Sequence, residues 1–305
     1  MSTAPAPNST RLSVLLPFAA VTLIWGSTWI VITGQLGVVP PTWSVTYRFL
    51  IAGVIMLGWA AFTRQPLRLD ARGLLFAALM GAFQFALNFN FVYRAEGHVT
   101  SGLVAVVFAL LLVPNAIFAR VFLGQQMGRQ LIIGSLIAMA GVGLLFLHEL
   151  RRDPMGSGEI WLGIGLTCLG VLSASTANIM QATETAKRYP MATMLGWSML
   201  LGASMDAAFA WITTGPPVFD TRFTYVAGVL YLGILGSAVS FPLYFSVLRK
   251  IGPAKAAYSS VIIPVLAMLL STLFEGYRWS WLAAAGALLA GAGLVLALRA
   301  RRPNR

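Results

Sequence analysis

Charge is scarce in this chain. Of its 305 residues only 10% are Asp, Glu, Lys or Arg, against about 25% in an ordinary soluble domain. With 58% hydrophobic residues and a mean hydropathy of +0.80, a water-soluble globule would have to expose apolar surface it cannot cover. The single cysteine, Cys168, lies inside an apolar run, which excludes a disulfide framework. The two histidines, His98 and His148, stand at the ends of apolar runs with no second ligand patterned beside them, so no metal site is expected. Of the nine acidic residues only Asp206 falls deep in an apolar run, too few for paired-carboxylate or metal-assisted chemistry, and an enzyme is not expected. No phosphate loop of the GxxxxGKS or GxxxxGKT kind is present, so neither ATP nor any other cofactor is expected. The net charge of +12 is spread through short connectors rather than gathered on one face, which argues against a nucleic-acid partner.

What the chain has instead is apolar runs of about 20 residues, the length that crosses a hydrocarbon core. Ten are read, at residues 12–32, 42–63, 71–93, 98–122, 129–147, 159–182, 190–213, 223–248, 254–274 and 279–299. The expected fold is therefore all-α and membrane-integral, with ten transmembrane helices. Residues 1–11 are rich in Pro, Ser and Thr and are expected to be disordered; the first span carries no convincing cleavage site and is read as retained. Fifteen of the 21 Lys and Arg residues fall at the two termini and in the connectors after spans 2, 4, 6 and 8, and five in the other connectors. By the positive-inside rule both termini are cytoplasmic, and the basic tail 300–305 lies against anionic lipid.

The chain repeats itself. Ser27 and Thr28 recur as Ser175 and Thr176, and Gly73, Gly81 and Arg94 as Gly228, Gly236 and Arg249. Gly102, Pro114, Gly141 and Gly143 recur as Gly252, Pro264, Gly291 and Gly293. A five-span unit at 12–147 is thus followed, after a connector at 148–158, by a second at 159–299. Five is odd, so the second copy enters the membrane from the opposite side. Such inverted repeats belong to transporters that open alternately to each face, with the site near the midplane where the halves meet.

The motifs LIWGSTWIV, LLLVPNAIFARVFLGQ with its reprise VIIPVLAMLLSTLFEG, and GSLIAMAGVGLLFL resemble the drug/metabolite transporter superfamily, specifically its EamA-like permeases, over about residues 12–299. Within that superfamily the chain looks most like the bacterial aromatic amino acid exporters. The resemblance implies ten spans in two inverted repeats, a central cavity and export of small metabolites. One departure is visible. The turn after span 4 reads FLGQQMG, without the acidic residue that the family commonly carries, whereas the second half has Glu275.

The run GAFQFALNFNFVY, residues 81–93, places three amides inside a span, where each is expensive unless something uses it. At about 100° per residue, Gly81, Gln84, Asn88 and Phe91 share one helical face, and Asn90 points elsewhere. A stripe of amides flanked by Phe suits a cavity that holds the ammonium and carboxylate of a zwitterion while an aromatic body stacks nearby. The competing reading is interhelical hydrogen bonding, roughly 0.6–2 kcal/mol per bond in a membrane. By the same logic Trp25, Tyr244 and Tyr258 are candidate substrate-binding residues, each with ordinary packing as its alternative, and Trp29 is expected in the interfacial belt. Pro114 and Pro264 each free the carbonyl four residues earlier and bend their spans, as hinges or as fixed kinks. Arg48 and Asp206 are charges inside spans 2 and 7, which hold equivalent places in the repeat. An ion pair between them and a coupling role for Asp206 are both open. The small-residue runs GSLIAMAGVG and AAAGALLAGAG let backbones approach closely, within the chain or between chains.

Together these readings point to a bacterial inner-membrane exporter of amino acids, aromatic and bulky apolar ones preferred, working as a monomer by alternating access. The second reading keeps the fold and changes the cargo to other small metabolites or drugs, including threonine- or homoserine-like amino acids and amphipathic compounds.

Overall fold

The computed structural model describes residues 7–126, 128–152, 157–251 and 259–298, and among them all regular structure is helical. The long helices are α1 (Pro7–Thr33), α2 (Pro41–Phe62), α3 (Ala71–Ala95), α4 (Ser101–Leu123), α5 (Arg129–Arg152), α6 (Ser157–Gln181), α7 (Met191–Thr214), α8 (Phe223–Arg249), α9 (Ser259–Phe274) and α10 (Trp281–Leu298). Eight, α1 to α8, are long and apolar enough to cross a membrane; α9 and α10 carry the shorter apolar segments Ile262–Phe274 and Trp281–Ala297. The chain is an all-α, multi-pass membrane protein. Its outer surface agrees: Trp281, Phe223, Ile212 and Phe62 are each at least 80% exposed, a face that lipid covers and water would not.

Local chemistry sets the helix ends. Pro40 and Pro190 cap α2 and α7, where a missing N–H removes nothing. Asp70 accepts the Gly73 N–H at 2.7 Å and opens α3. Gly124 and Gly276, at φ 66° and 69°, supply the left-handed residues after α4 and α9 that a side chain would strain. Helix α1 starts at Pro7, inside the segment expected to be disordered. Tyr258, the tail 300–305 and residues 153–156 of the expected connector lie outside the described residues.

The two parts of the chain interlock. Helix α2 packs on α7 and α5 on α10; α1 lies against α8 and α9, and α6 against α3 and α4. Burial follows the same register in both parts. Every buried position of α2, from Thr42 to Ala60, has a buried counterpart 150 residues later in α7, from Ala192 to Ala210. For α3 and α8 the best match is an offset of 152, which takes Met80 to Leu232, Gly81 to Gly233 and Asn88 to Ser240. The glycine matches in the sequence imply 155, three residues out of this register. The small-residue runs meet within the chain: a Cβ on Gly141 would fall 2.2 Å from Ala290 N, and one on Gly293 would fall 2.3 Å from Ala138 N.

Three helices are locally distorted. Across Gly81–Leu87 of α3 and Ile234–Val239 of α8 the hydrogen bonds widen to a π pattern. In α4 the turn Ala109–Leu111 tightens to 3-10 directly ahead of Pro114. Proline accounts for the last, since it cannot donate to the Leu110 carbonyl and crowds that turn. Wide turns inside helices recur at functional sites, and here both flank the same cavity.

Candidate functional site

Between the two parts of the chain lies a cavity of about 100 Å3, room for several waters. One wall is aromatic. The Phe241 ring centroid lies 6.3 Å from that of Phe89 and 5.3 Å from that of Trp25, which in turn lies 4.9 Å from Tyr244. All four rings line the space, and so do Arg48, Gln84, Asn88 and Asn178. Arg48 is the one charged residue among the lining residues.

The polar groups are held by the distorted turns. Gln84 sits within the π turn of α3 and Asn88 directly after it; they are 4% and 2% exposed. Asn88 Nδ2 donates to the Gln84 backbone carbonyl at 3.3 Å, but Gln84 Oε1 and Asn88 Oδ1 are buried and meet no protein partner. The π turn of α8 supplies two contacts: Trp25 Nε1 donates to the Gly236 carbonyl at 3.1 Å, and Arg48 Nε donates to Ser237 Oγ at 2.9 Å. The Arg48 guanidinium lies over Phe89, 4.3 Å from the ring centre, while its Nη1 meets no partner. Buried polar atoms normally find a bond inside the protein; among the lining residues these three and Trp29 Nε1 do not, and what sets them apart from the unpartnered atoms elsewhere is that their residues gather around one cavity.

Of the residues singled out from the sequence, Gln84, Asn88, Trp25, Tyr244, Arg48 and Pro264 come together at the cavity. Phe91 does not. The wide turn adds a residue to the helical repeat, so the cavity face runs from Gln84 through Asn88 and Phe89 to Val92. Pro114 is half-buried outside the lining, one turn from Ala109 and Leu111, which belong to it. Arg48 and Asp206 form no ion pair. Asp206, 3% exposed, accepts from Asn90 Nδ2 at 2.7 Å, and Asn90 Oδ1 accepts from Thr42 Oγ1 at 2.7 Å, away from the cavity. Asn90 therefore links helices as a buried hydrogen-bonding residue, and Trp29, 9% exposed and lining the cavity beside Phe108, is not a belt residue. Asn178, Phe89 and Phe241 were not singled out. The rule that picks Gln84 and Asn88, an amide inside a span, also picks Asn178 in α6; nothing in the sequence distinguishes Phe89 and Phe241 from the other phenylalanines.

Side chains tie the two parts together beyond both ends of the cavity. At the end where α1, α3 and α9 finish, Thr33 Oγ1 lies 3.1 Å from oxygens of both Glu96 and Glu275, and Ser101 Oγ donates to Glu275 at 2.6 Å. At the opposite end Tyr189 donates to Asp70 at 2.6 Å, and Thr193 and Trp197 donate to the Pro66 and Leu67 carbonyls at 2.8 Å. The Tyr189 hydroxyl and the Gly73 N–H hold the Asp70 carboxyl below its ordinary pKa.

Comparison with known proteins agrees with this architecture. The model of the EamA-like transporter family matches twice, over residues 12–147 and 161–299. The uncharacterized inner membrane transporter YedA of Escherichia coli is 30% identical over 284 residues, covering 90% of this chain and 89% of YedA. Protein PagO of Salmonella typhimurium is 24% identical over 273 residues, 88% of each chain. One crystal structure, 22% identical, covers 96% of this chain and 98% of its own at a TM-score of 0.70, which shows a shared fold. Matched by the family model through almost its whole length, the chain belongs to the EamA-like transporter family of membrane permeases.

Proposed function

We propose that this protein exports small metabolites across the bacterial inner membrane by alternating access through the cavity between its two parts, with amino acids of aromatic or bulky apolar side chain among its cargo. The observation that carries the proposal is the buried, unpartnered pair Gln84 Oε1 and Asn88 Oδ1, on residues that line a cavity with one aromatic wall. Two acceptor oxygens suit an ammonium, and the rings of Phe89, Phe241, Trp25 and Tyr244 suit an apolar body. Transport and the inner membrane follow the family and relatives such as YedA; the amino-acid cargo rests on the cavity alone.

Alternating access is proposed on the same footing. Ten spanning helices in two inverted five-helix repeats, both termini cytoplasmic, would place α2 on α7 and α5 on α10 about one pseudo-twofold axis. The shared burial register of α2 and α7 and the reciprocal pairing of α1 with α9 and α6 with α4 support that arrangement. The ties at Thr33–Glu96–Glu275 and at Asp70–Tyr189 stand where an outer and an inner gate would close.

Uptake of labelled phenylalanine, tryptophan and threonine into proteoliposomes tests the proposal. The expected result is uptake of the two aromatic amino acids above threonine, lost in Gln84→Ala and Asn88→Ala proteins of unchanged thermal stability. Wild-type protein that moves none of the three would remove amino acids from the cargo and leave other small metabolites.

A further inference from the structure

We infer that Arg48 is the anion-recognition residue of the cavity, and that the transported molecule carries a carboxylate which the Arg48 guanidinium binds. The inference rests on the transport reading above and narrows its substrate class.

Arg48 lies in α2 and is 1% exposed, the largest of the fully buried side chains among the described residues. Taking a guanidinium out of water is costly unless an opposite charge or a full set of acceptors replaces the water. Neither replacement is complete. No carboxylate comes within ion-pair distance of it among the described residues, and Asp206, the acidic residue buried within a helix of the other part, is bonded to Asn90 instead. Ser237 Oγ takes the Nε proton, the Tyr93 hydroxyl stands beside the guanidinium and the Glu96 carboxylate acts on it from farther off, but Nη1 has no partner. The guanidinium plane is not free to swing away, because it lies over Phe89 at 4.3 Å with Phe49 at 5.2 Å. A cation held by stacking on one face, with an N–H left unpartnered and its residue in the wall of a cavity, is a preformed anion site.

The cavity's remaining polarity agrees with this assignment. Its unpartnered acceptors are the amide oxygens of Gln84 and Asn88, and Arg48 is its one cationic residue with an unpartnered donor. A ligand that completes all three presents a carboxylate to Arg48 and a donor group, such as an ammonium, to the two oxygens, with its apolar body along the aromatic wall. A purely cationic amphiphile would meet an uncompensated like charge, and a neutral one would leave Arg48 unpaired.

Matched congeners of one shape test this directly. Ligand-induced thermal stabilisation of the purified full-length protein would be measured with phenylalanine against phenylalaninamide, and with 3-phenylpropionate against 3-phenylpropionamide. The carboxylates should bind roughly 10- to 100-fold more tightly than their amides, the span of one charge-assisted hydrogen bond. Arg48→Lys keeps the charge without the planar fork and should retain part of that preference. Arg48→Met should abolish it, so that acid and amide bind alike. A role confined to packing would change overall stability and leave the acid-to-amide ratio of Arg48→Lys at the wild-type value, which would overturn the inference. Wild-type protein that binds the amides as tightly as the acids, or binds none of the four, would overturn it too. Carboxylate binding without passage across a vesicle membrane would leave the anion site standing and remove the transport reading.

Discussion

Replacing Gly141 by alanine tests how the two parts of the chain are joined at α5 and α10. The new Cβ would lie 2.2 Å from Ala290 N, 2.6 Å from the Gly286 carbonyl oxygen and 2.8 Å from Ala290 Cα, whereas ordinary contact begins at 3.4 Å. Backbone atoms cannot rotate out of the way as a side chain can, so the helices must part by the difference, 3.4 − 2.2 = 1.2 Å along that line. A gap of 0.5–1 Å already forfeits a quarter to a half of each dispersion contact. The seam also closes at Gly134 and Gly293, so the loss spreads along it. Overpacking of this kind costs about 1–3 kcal/mol, offset by up to about 1 kcal/mol of helix propensity gained on replacing glycine. The net expectation is a loss of about 1–2 kcal/mol, read as a thermal midpoint a few degrees lower in detergent micelles. Gly143→Ala is the control, since nothing lies within 4 Å of its Cβ; it should hold or raise the midpoint. Equal midpoints for Gly141→Ala and Gly143→Ala would refute the reasoning and with it the close crossing of α5 and α10.

Other expectations follow from the hydrogen bonds. Asp206→Asn keeps an acceptor for Asn90 Nδ2 and removes a titratable group whose second oxygen has no partner, so the pH profile of transport should match wild type; a flattened profile would give Asp206 a coupling role. Asn90→Ala strips that carboxyl group of its donor and should lower stability by about 1–3 kcal/mol, measured by thermal or denaturant unfolding. Pro114→Ala restores the donor missing below the Ala109–Leu111 turn, and should change the transport rate more than the apparent affinity in vesicle kinetics. Asp70 is held below its ordinary pKa by Tyr189 and Gly73, so its contribution is complete above the unfolded value of about 3.9 and lost as pH falls through the depressed one. The stability difference between wild type and Asp70→Asn should be constant from pH 7 to 5 and shrink only below about pH 4.

The all-α, multi-pass character and eight of the expected spans were legible because a membrane leaves a chain few choices: a run of 20 apolar residues must satisfy its own backbone, and the helix does so. The cavity residues on α3 were legible for a related reason, since an amide in such a run stands out. The π turns were not, because no composition marks Gly81–Leu87 as wider than its neighbours; the helical wheel therefore chose Phe91 where the structure presents Phe89 and Val92. Arg48 and Asp206 show the same limit. Their positions 158 residues apart name two charges at similar depth, but α2 and α7 pair at an offset of 150, which sets Asp206 opposite Met56 in the repeat and gives Arg48 a serine counterpart, Ser198. Partner choice depends on that register, and the register is a property of the packed bundle.

The most direct test of the central claim, that the cavity is a substrate site opened to each face in turn, is side-specific thiol labelling. Ala109 lines the cavity, and Ala109→Cys in a Cys168→Ser background gives one reporter there. A membrane-impermeant reagent applied to right-side-out and to inverted vesicles should label it from both sides, and transported substrate should slow the labelling from each. Labelling from one side only, or at a rate that substrate leaves unchanged on both, would contradict the account.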